Sequence, residues 1–111
     1  MCSSDLERLA AAEAVFKARD PAARPALDRA IAKESDAAVK TRMEQARAAA
    51  ILSAPDATEA DRLGAVAALR ARGDIEARAM LASLSGQPPK VAEAIADAVT
   101  GIDREIGRAH V

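Results

Sequence analysis

The sequence predicts an all-α fold, an array of stacked α–α repeats with about six helices in two three-helix units. Three observations predict it. The first is an internal repeat. Arg62 to Leu84 reads as a helix, a glycine stop and a second helix, and a shift of about 54 positions lays Arg8 to Leu27 over it. Arg8-Leu9 then falls on Arg62-Leu63 and Val15 on Leu69, while Asp20, Ala23, Arg24 and Leu27 fall on Asp74, Ala77, Arg78 and Leu81 as a shared D-x-x-A-R-x-x-L run. The second is composition: half of the 111 residues are hydrophobic, most of these are alanine, and Phe16 is the one aromatic residue. Alanine favours helix and lets helices approach closely, but each one buries little surface. The expected product is a thin helical layer of modest stability. The third is that apolar residues recur at helical spacing throughout, with no alternating run that would support a strand.

The first helix is expected over Asp5 to Ala18, with Leu9, Ala12, Val15 and Phe16 on its inner face and Glu7, Arg8, Glu13 and Lys17 outside. Asp20-Pro21 ends it, because proline disfavours helix at the residue before it and aspartate is a good cap for the next helix. The second helix is expected over about Ala22 to Glu34, with Pro25 tolerable only in its first turn and Leu27, Ala30 and Ile31 inside. Ser35-Asp36 caps a third, about Asp36 to Leu52, facing inward through Val39, Met43, Ala46 and Ala50. Pro55-Asp56 marks a loop. Thr58 with Asp61 resembles a capping box that opens the fourth helix, where Leu63, Val66, Ala67 and Leu69 should face the core until Gly73 stops it. Asp74 caps the fifth, whose apolar side is Ala77, Met80, Leu81 and Leu84. Pro88-Pro89 leads into the sixth, about Pro89 to Glu105, with Val91, Ile95, Ala98, Val99 and Ile102 along one side. Val39 and Met43 correspond to Val91 and Ile95, which makes the repeat three helices long.

Sixteen basic and 17 acidic residues leave a formal net charge of -1. Neither sign dominates, so the chain has no electrostatic footprint for nucleic acid or an anionic membrane. Nothing approaches the roughly 20 apolar residues of a membrane span, and no stretch has the pattern of a signal peptide. If the parent protein is secreted or membrane-bound, those segments lie outside this stretch.

The two ends read differently from the rest. Ile106 to Val111 and Met1 to Leu6 resemble translations of the two strands of a short-read sequencing adapter, and such scars are left out of fold reasoning. The expected organisation is therefore 1–6 and 106–111 as adapter translation around a helical-repeat domain at 7–105, itself an internal fragment of something longer. Cys2 and His110, the single cysteine and histidine, both fall in these ends. Without them there is no thiol, imidazole or disulfide, which permits an oxidising compartment without demonstrating one.

No catalytic, cofactor or metal constellation emerges from the remaining residues. Nucleophilic catalysis needs a positioned base beside Ser, Cys or Thr, whereas Ser35, Ser53 and Thr58 sit at helix boundaries where capping accounts for them. Glu93 and Asp97 share a helix face that solvent explains, and Gly64, Gly73, Gly86 and Gly101 are isolated rather than clustered in a phosphate loop. A basic stripe and stacking aromatics are both missing, which argues against nucleic acid. Arg24 and Arg78, at equivalent repeat positions, are the most interesting charged residues. The simplest reading pairs each with a carboxylate of the neighbouring repeat; the sharper one makes them contacts to a partner protein. Asp20 and Asp74 read as helix caps and as intra-repeat partners for those arginines.

Helix pairs with a D-x-x-A-R signature resemble HEAT-like repeats. More specifically, AKESDAAVKTRMEQARAAAILSAPDATEADRLGAVAALRARGD and the closing VAEAIADAVTGIDREI resemble the N-terminal extracytoplasmic region of the B-type permease subunit of urea ABC transporters, which is similar to branched-chain amino acid permeases. The resemblance spans nearly all of Leu6 to Glu105 and rests on alanine-rich, repeat-like sequence. It implies a part of an ATP-driven urea importer on the extracytoplasmic side of the bacterial inner membrane. The implied partners are a second permease, two ATPase subunits and a periplasmic binding protein. In that family the translocation path lies in membrane helices and ATP hydrolysis in other subunits, so no transport residue carries over and a docking or structural role is implied. The competing reading is a soluble HEAT-like interaction adaptor, with further repeats on both sides; an enzyme such as a helical-repeat lyase is a third.

Overall fold

The computed structural model describes residues 5–109, and among these every regular element is helical. The chain divides into two compact units, Met1–Pro55 and Asp56–Val111. Cys2, His110 and the outermost residues of both ends lie outside the described residues.

In the first unit α1 (Asp5–Ala18) packs on α3 (Ala37–Ser53), and α2 (Arg24–Lys33) packs on α3 as well. Phe16 is 1% exposed and Val39 fully buried, with Ala12, Leu27 and Ala46 around them in the core. The second half of α3 is buried well beyond a single stripe, at Gln45, Ala48, Ala49, Ile51 and Leu52 in addition to the expected Ala46 and Ala50. Small residues make that possible, since alanine adds little bulk on any side of a helix.

Helix α2 starts later than the sequence suggests. Pro21–Ala23 forms a separate 3-10 turn, and the α-helix begins only at Arg24. Pro25 explains the difference. A helix running from Ala22 would place its ring close to the interior, against the carbonyl four residues back, whereas starting at Arg24 puts Pro25 in the first turn. Helix α1 ends on Arg19, whose backbone is left-handed at φ 52. Its N–H closes on the Val15 carbonyl at 3.3 Å.

The second unit comprises α4 (Glu59–Arg72), α5 (Ile75–Ser83) and α6 (Pro89–Ala109), with α4 and α5 both packed on α6. Leu69, Leu81, Val91 and Ile102 are fully buried, and Ala65, Val66, Ala77, Met80, Ile95 and Ala98 pack with them in the core. Burying one such leucine or isoleucine contributes about 1.5–3 kcal/mol. Thr58 caps α4 by accepting from the Asp61 N–H at 3.0 Å. Gly73, at φ 64, ends α4 with its N–H on the Leu69 carbonyl at 3.1 Å. Ala67 is exposed and Ala65 buried, the reverse of the expected pattern for α4. At about 100° per residue Ala65, Val66 and Leu69 share a face that Ala67 turns away from. Helix α6 continues past Glu105 to Ala109.

Candidate functional site

Charged side chains in both units are arranged around helix ends and linkers. The aspartates Asp20 and Asp74 occupy the predicted cap positions. Asp20 accepts from the Ala22 N–H at 2.9 Å and so opens the 3-10 turn, whereas Asp74 accepts from the Ala77 N–H at 2.8 Å and opens α5 directly. The expected partnership between Asp74 and Arg78 does not form. The Asp74 carboxylate instead receives Arg72 Nε at 2.9 Å, and Arg72 also reaches Glu76 at 3.6 Å. Arg72 is 3% exposed at its side chain, so its guanidinium is retained at the α4–α5 corner by these carboxylates.

Arg78 extends to Asp103 on α6, which bonds it through Nε and, at 3.4 Å, through Nη2. The hydrogen bond to Asp103, and next its charge, push the Arg78 guanidinium further up from its already high value. Asp103 belongs to the same unit as Arg78, not to the neighbouring repeat as the sequence suggested. The reason is reach: α6 packs directly on α5, so its exposed carboxylates are the nearest acceptors. Arg24 is half-buried as the first residue of α2, with its backbone N–H on the Pro21 carbonyl. The positions equivalent to Asp103 in the first unit fall on apolar residues of α3.

A different arginine pair does repeat. Arg8 on α1 donates from Nε to Glu34 at 3.0 Å and from Nη2 to the other Glu34 oxygen at 3.3 Å, reaching the linker between α2 and α3. Arg62 on α4 donates from Nη1 to Gln87 at 2.9 Å, in the linker between α5 and α6, and from Nε to the Ala57 carbonyl at 3.2 Å. Each first helix thereby holds the lead-in to its third helix. The Glu34 carboxylate also accepts the Asp36 N–H at 3.1 Å, and Asp36 accepts from Ala38 and Val39 as the cap of α3. The Val39 N–H is the main reason the Asp36 carboxyl sits below the usual carboxylate range, against a partial opposing effect of burial.

A shallow groove lies in each unit. In the first, Ala11, Val15, Ala26, Leu27, Ala30 and Met43 contribute to an apolar depression of about 240 Å3. In the second, Leu63, Val66, Ala94 and Ala98 line a space of about 310 Å3 together with the charged Arg70 and Asp97. Arg70 pairs with Glu105 across Gly101, where an added Cβ would lie 2.6 Å from the Arg70 Nε. Among the described residues no group of three or more His, Cys, Asp or Glu is placed to hold a metal ion. No described helix is long and apolar enough to cross a membrane.

No family model, curated protein or solved structure matches this chain. The described contacts are those of helices fastened to one another and to their linkers by arginine. Sequence reasoning singles out Arg24 and Arg78 and passes over Arg8, Arg62 and Arg72. A signal for Arg8 and Arg62 was present: Arg8-Leu9 and Arg62-Leu63 are the anchor of the internal repeat. Burial of Arg72 carried no sequence signal, because an arginine in the last turn of a helix is ordinarily a solvated one.

Proposed function

We propose that this chain is a non-catalytic helical domain that docks or braces a larger assembly, and specifically the extracytoplasmic helical-repeat region of a urea ABC-transporter permease subunit. The observation that carries the docking role is the use of the charged residues: Arg8, Arg62, Arg72 and Arg78 all bind helix caps, linkers or neighbouring helices. Groups committed in this way serve rigidity rather than turnover. A domain of this kind offers long helical faces to other subunits, as stacked helix pairs do. The transporter assignment rests on the sequence resemblance, and its partners would be the second permease, the ATPase subunits and the periplasmic binding protein of that system.

The coding sequence past Glu105 in the source genome tests the assignment. A run of about 20 apolar residues within the next few helical turns supports a permease. Further helix pairs, or a stop with no span, would remove the transporter and leave a soluble interaction adaptor.

A further inference from the structure

The second unit fills with its own side chains a space that the first leaves open. The internal repeat places Val15 on Leu69, Ala26 on Met80 and Ala30 on Leu84, and at each position the second unit has the larger side chain. Leu69 is fully buried and Met80 is 2% exposed, whereas Val15 is half-buried and Ala26 exposed. Helix packing follows the same division. α4 and α5 pack on each other as well as on α6, while α1 and α2 each pack chiefly on α3. The first unit is left with its apolar groove of about 240 Å3, which Met43 of α3 also lines. Apolar walls of this kind gain free energy when water leaves them.

The rim of this groove is cationic along α2. Arg29 and Lys33 are exposed there and, at about 100° per residue, fall within about 60° of Ala26. The α1 edge beside Ala11 runs through the exposed Ala14 and Ala18, with Glu7 at its start. At the positions equivalent to Arg29 and Lys33 the second unit carries Ser83 and Gln87. The unit that closes its own groove therefore lacks the two cations as well.

We infer that the groove between α1 and α2 is the docking site for an amphipathic helix of a partner protein, which inserts bulky aliphatic side chains there and lays carboxylates along Arg29 and Lys33. The inference rests on the docking role proposed above and gives it a place and a chemistry. The second unit shows which groups fit, since a methionine and leucines stand at the equivalent positions. A whole helix, about 10 Å across, is too wide for such a space, but side chains along one of its faces are not. The alanines of the α1 edge let the partner's backbone come close, because interaxial distance follows the side chains at the contact. Two cations on one rim favour a partner with an acidic edge and oppose one with a basic edge.

The test uses the full chain and a synthetic helix of about 18 residues, with leucines spaced three and four apart and glutamates along one edge. A second peptide carries lysine in place of each glutamate. Binding is followed through the amide and methyl NMR signals of the chain. The glutamate peptide is expected to shift Val15, Ala26, Ala30 and Met43, and the lysine peptide to bind about fivefold more weakly or less. Arg29→Gln with Lys33→Gln should weaken the glutamate peptide about fivefold, as the loss of two exposed ion pairs would, and leave the fold intact. Ala26→Met with Ala30→Leu copies the second unit. It should raise the melting temperature by filling the groove, and abolish binding there. If that graft fails to fold, the charge variant still decides. Equal binding of the two peptides would overturn the inference, and so would undiminished binding by either variant. Shifts confined to another helical face would overturn the groove while leaving the docking role in place; no shift anywhere would count against both. Concentration-dependent shifts of the same residues without peptide would assign the groove to a second copy of the chain and overturn the partner helix.

Discussion

Arg8 and Arg62 stand at the same repeat position and make the same reach, yet one ends on a carboxylate and the other on a carboxamide. Arg19 and Gly73 are likewise equivalent. Both end a first helix in the left-handed region, at φ 52 and φ 64, and both N–H groups return to equivalent carbonyls, Val15 and Leu69. Asp20 and Asp74 cap the next element in each unit, one a 3-10 turn and the other an α-helix. The two units thus share a set of backbone devices: a strap, a left-handed stop and a cap. The side chains that supply them differ. The first unit uses the more demanding versions, with a non-glycine residue in the left-handed region and a nearly buried carboxylate that needs its arginine.

The cores give the largest expected effects. Leu81→Asp places an unpaired charge at a fully buried position, and a loss of more than about 4 kcal/mol should melt the helices of the second unit. Phe16→Ala should weaken the first unit by about 3–5 kcal/mol. Circular dichroism melts with helix-resolved NMR would measure both, and retained helicity after Leu81→Asp would mean that this face of α5 has been wrongly assigned to the core.

The left-handed stops come next and should respond with opposite signs. Gly73→Ala forces a Cβ into the left-handed region and should destabilise by about 1 kcal/mol. Arg19→Gly relieves the same penalty in the first unit and should stabilise by up to about 1 kcal/mol, less the entropy that glycine adds to the unfolded chain. Denaturant midpoints at equal slope separate the two. A loss of stability in both variants would mean that the Arg19 side chain matters more than its backbone.

Smaller still is the acid response of the α3 cap. The Asp36 carboxyl is held below its usual range in the folded chain, so its contribution to stability is complete above the unfolded value. It is lost as pH falls through the lower folded value. Asp36→Asn should therefore flatten the acid limb of the stability curve, and an unchanged acid limb would count against the cap. Arg78→Ala should change melting least of all, since the pair with Asp103 is exposed on both sides, at 41% and 49%. A clear shift there would give Arg78 a larger part in the second unit than its exposure suggests.

The helical character is legible in the sequence because alanine, cap residues and helical spacing all point the same way. Asp36, Thr58, Asp74 and Gly73 are local signals, and the helix boundaries beside them match the sequence closely. Pro25 is visible too, but its consequence depends on a choice that propensity does not make, between a late helix start and a kinked helix. The left-handed Arg19 has no signal of its own, although its alignment with Gly73 would reveal it. The arginine contacts are the least legible. Which carboxylate an arginine meets depends on how helices cross, and Arg78 shares its unit with both Asp74 and Asp103. Burial of Arg72 depends in the same way on the α4–α5 corner.

Each unit is closed by one arginine from its first helix onto the linker before its third. Amide exchange on Arg8→Ala and Arg62→Ala in the full chain tests this most directly. Faster exchange is expected in the first turn of α3 for Arg8→Ala and in the first turn of α6 for Arg62→Ala, each with the other turn unchanged. Unchanged exchange at both turns in both variants would contradict it.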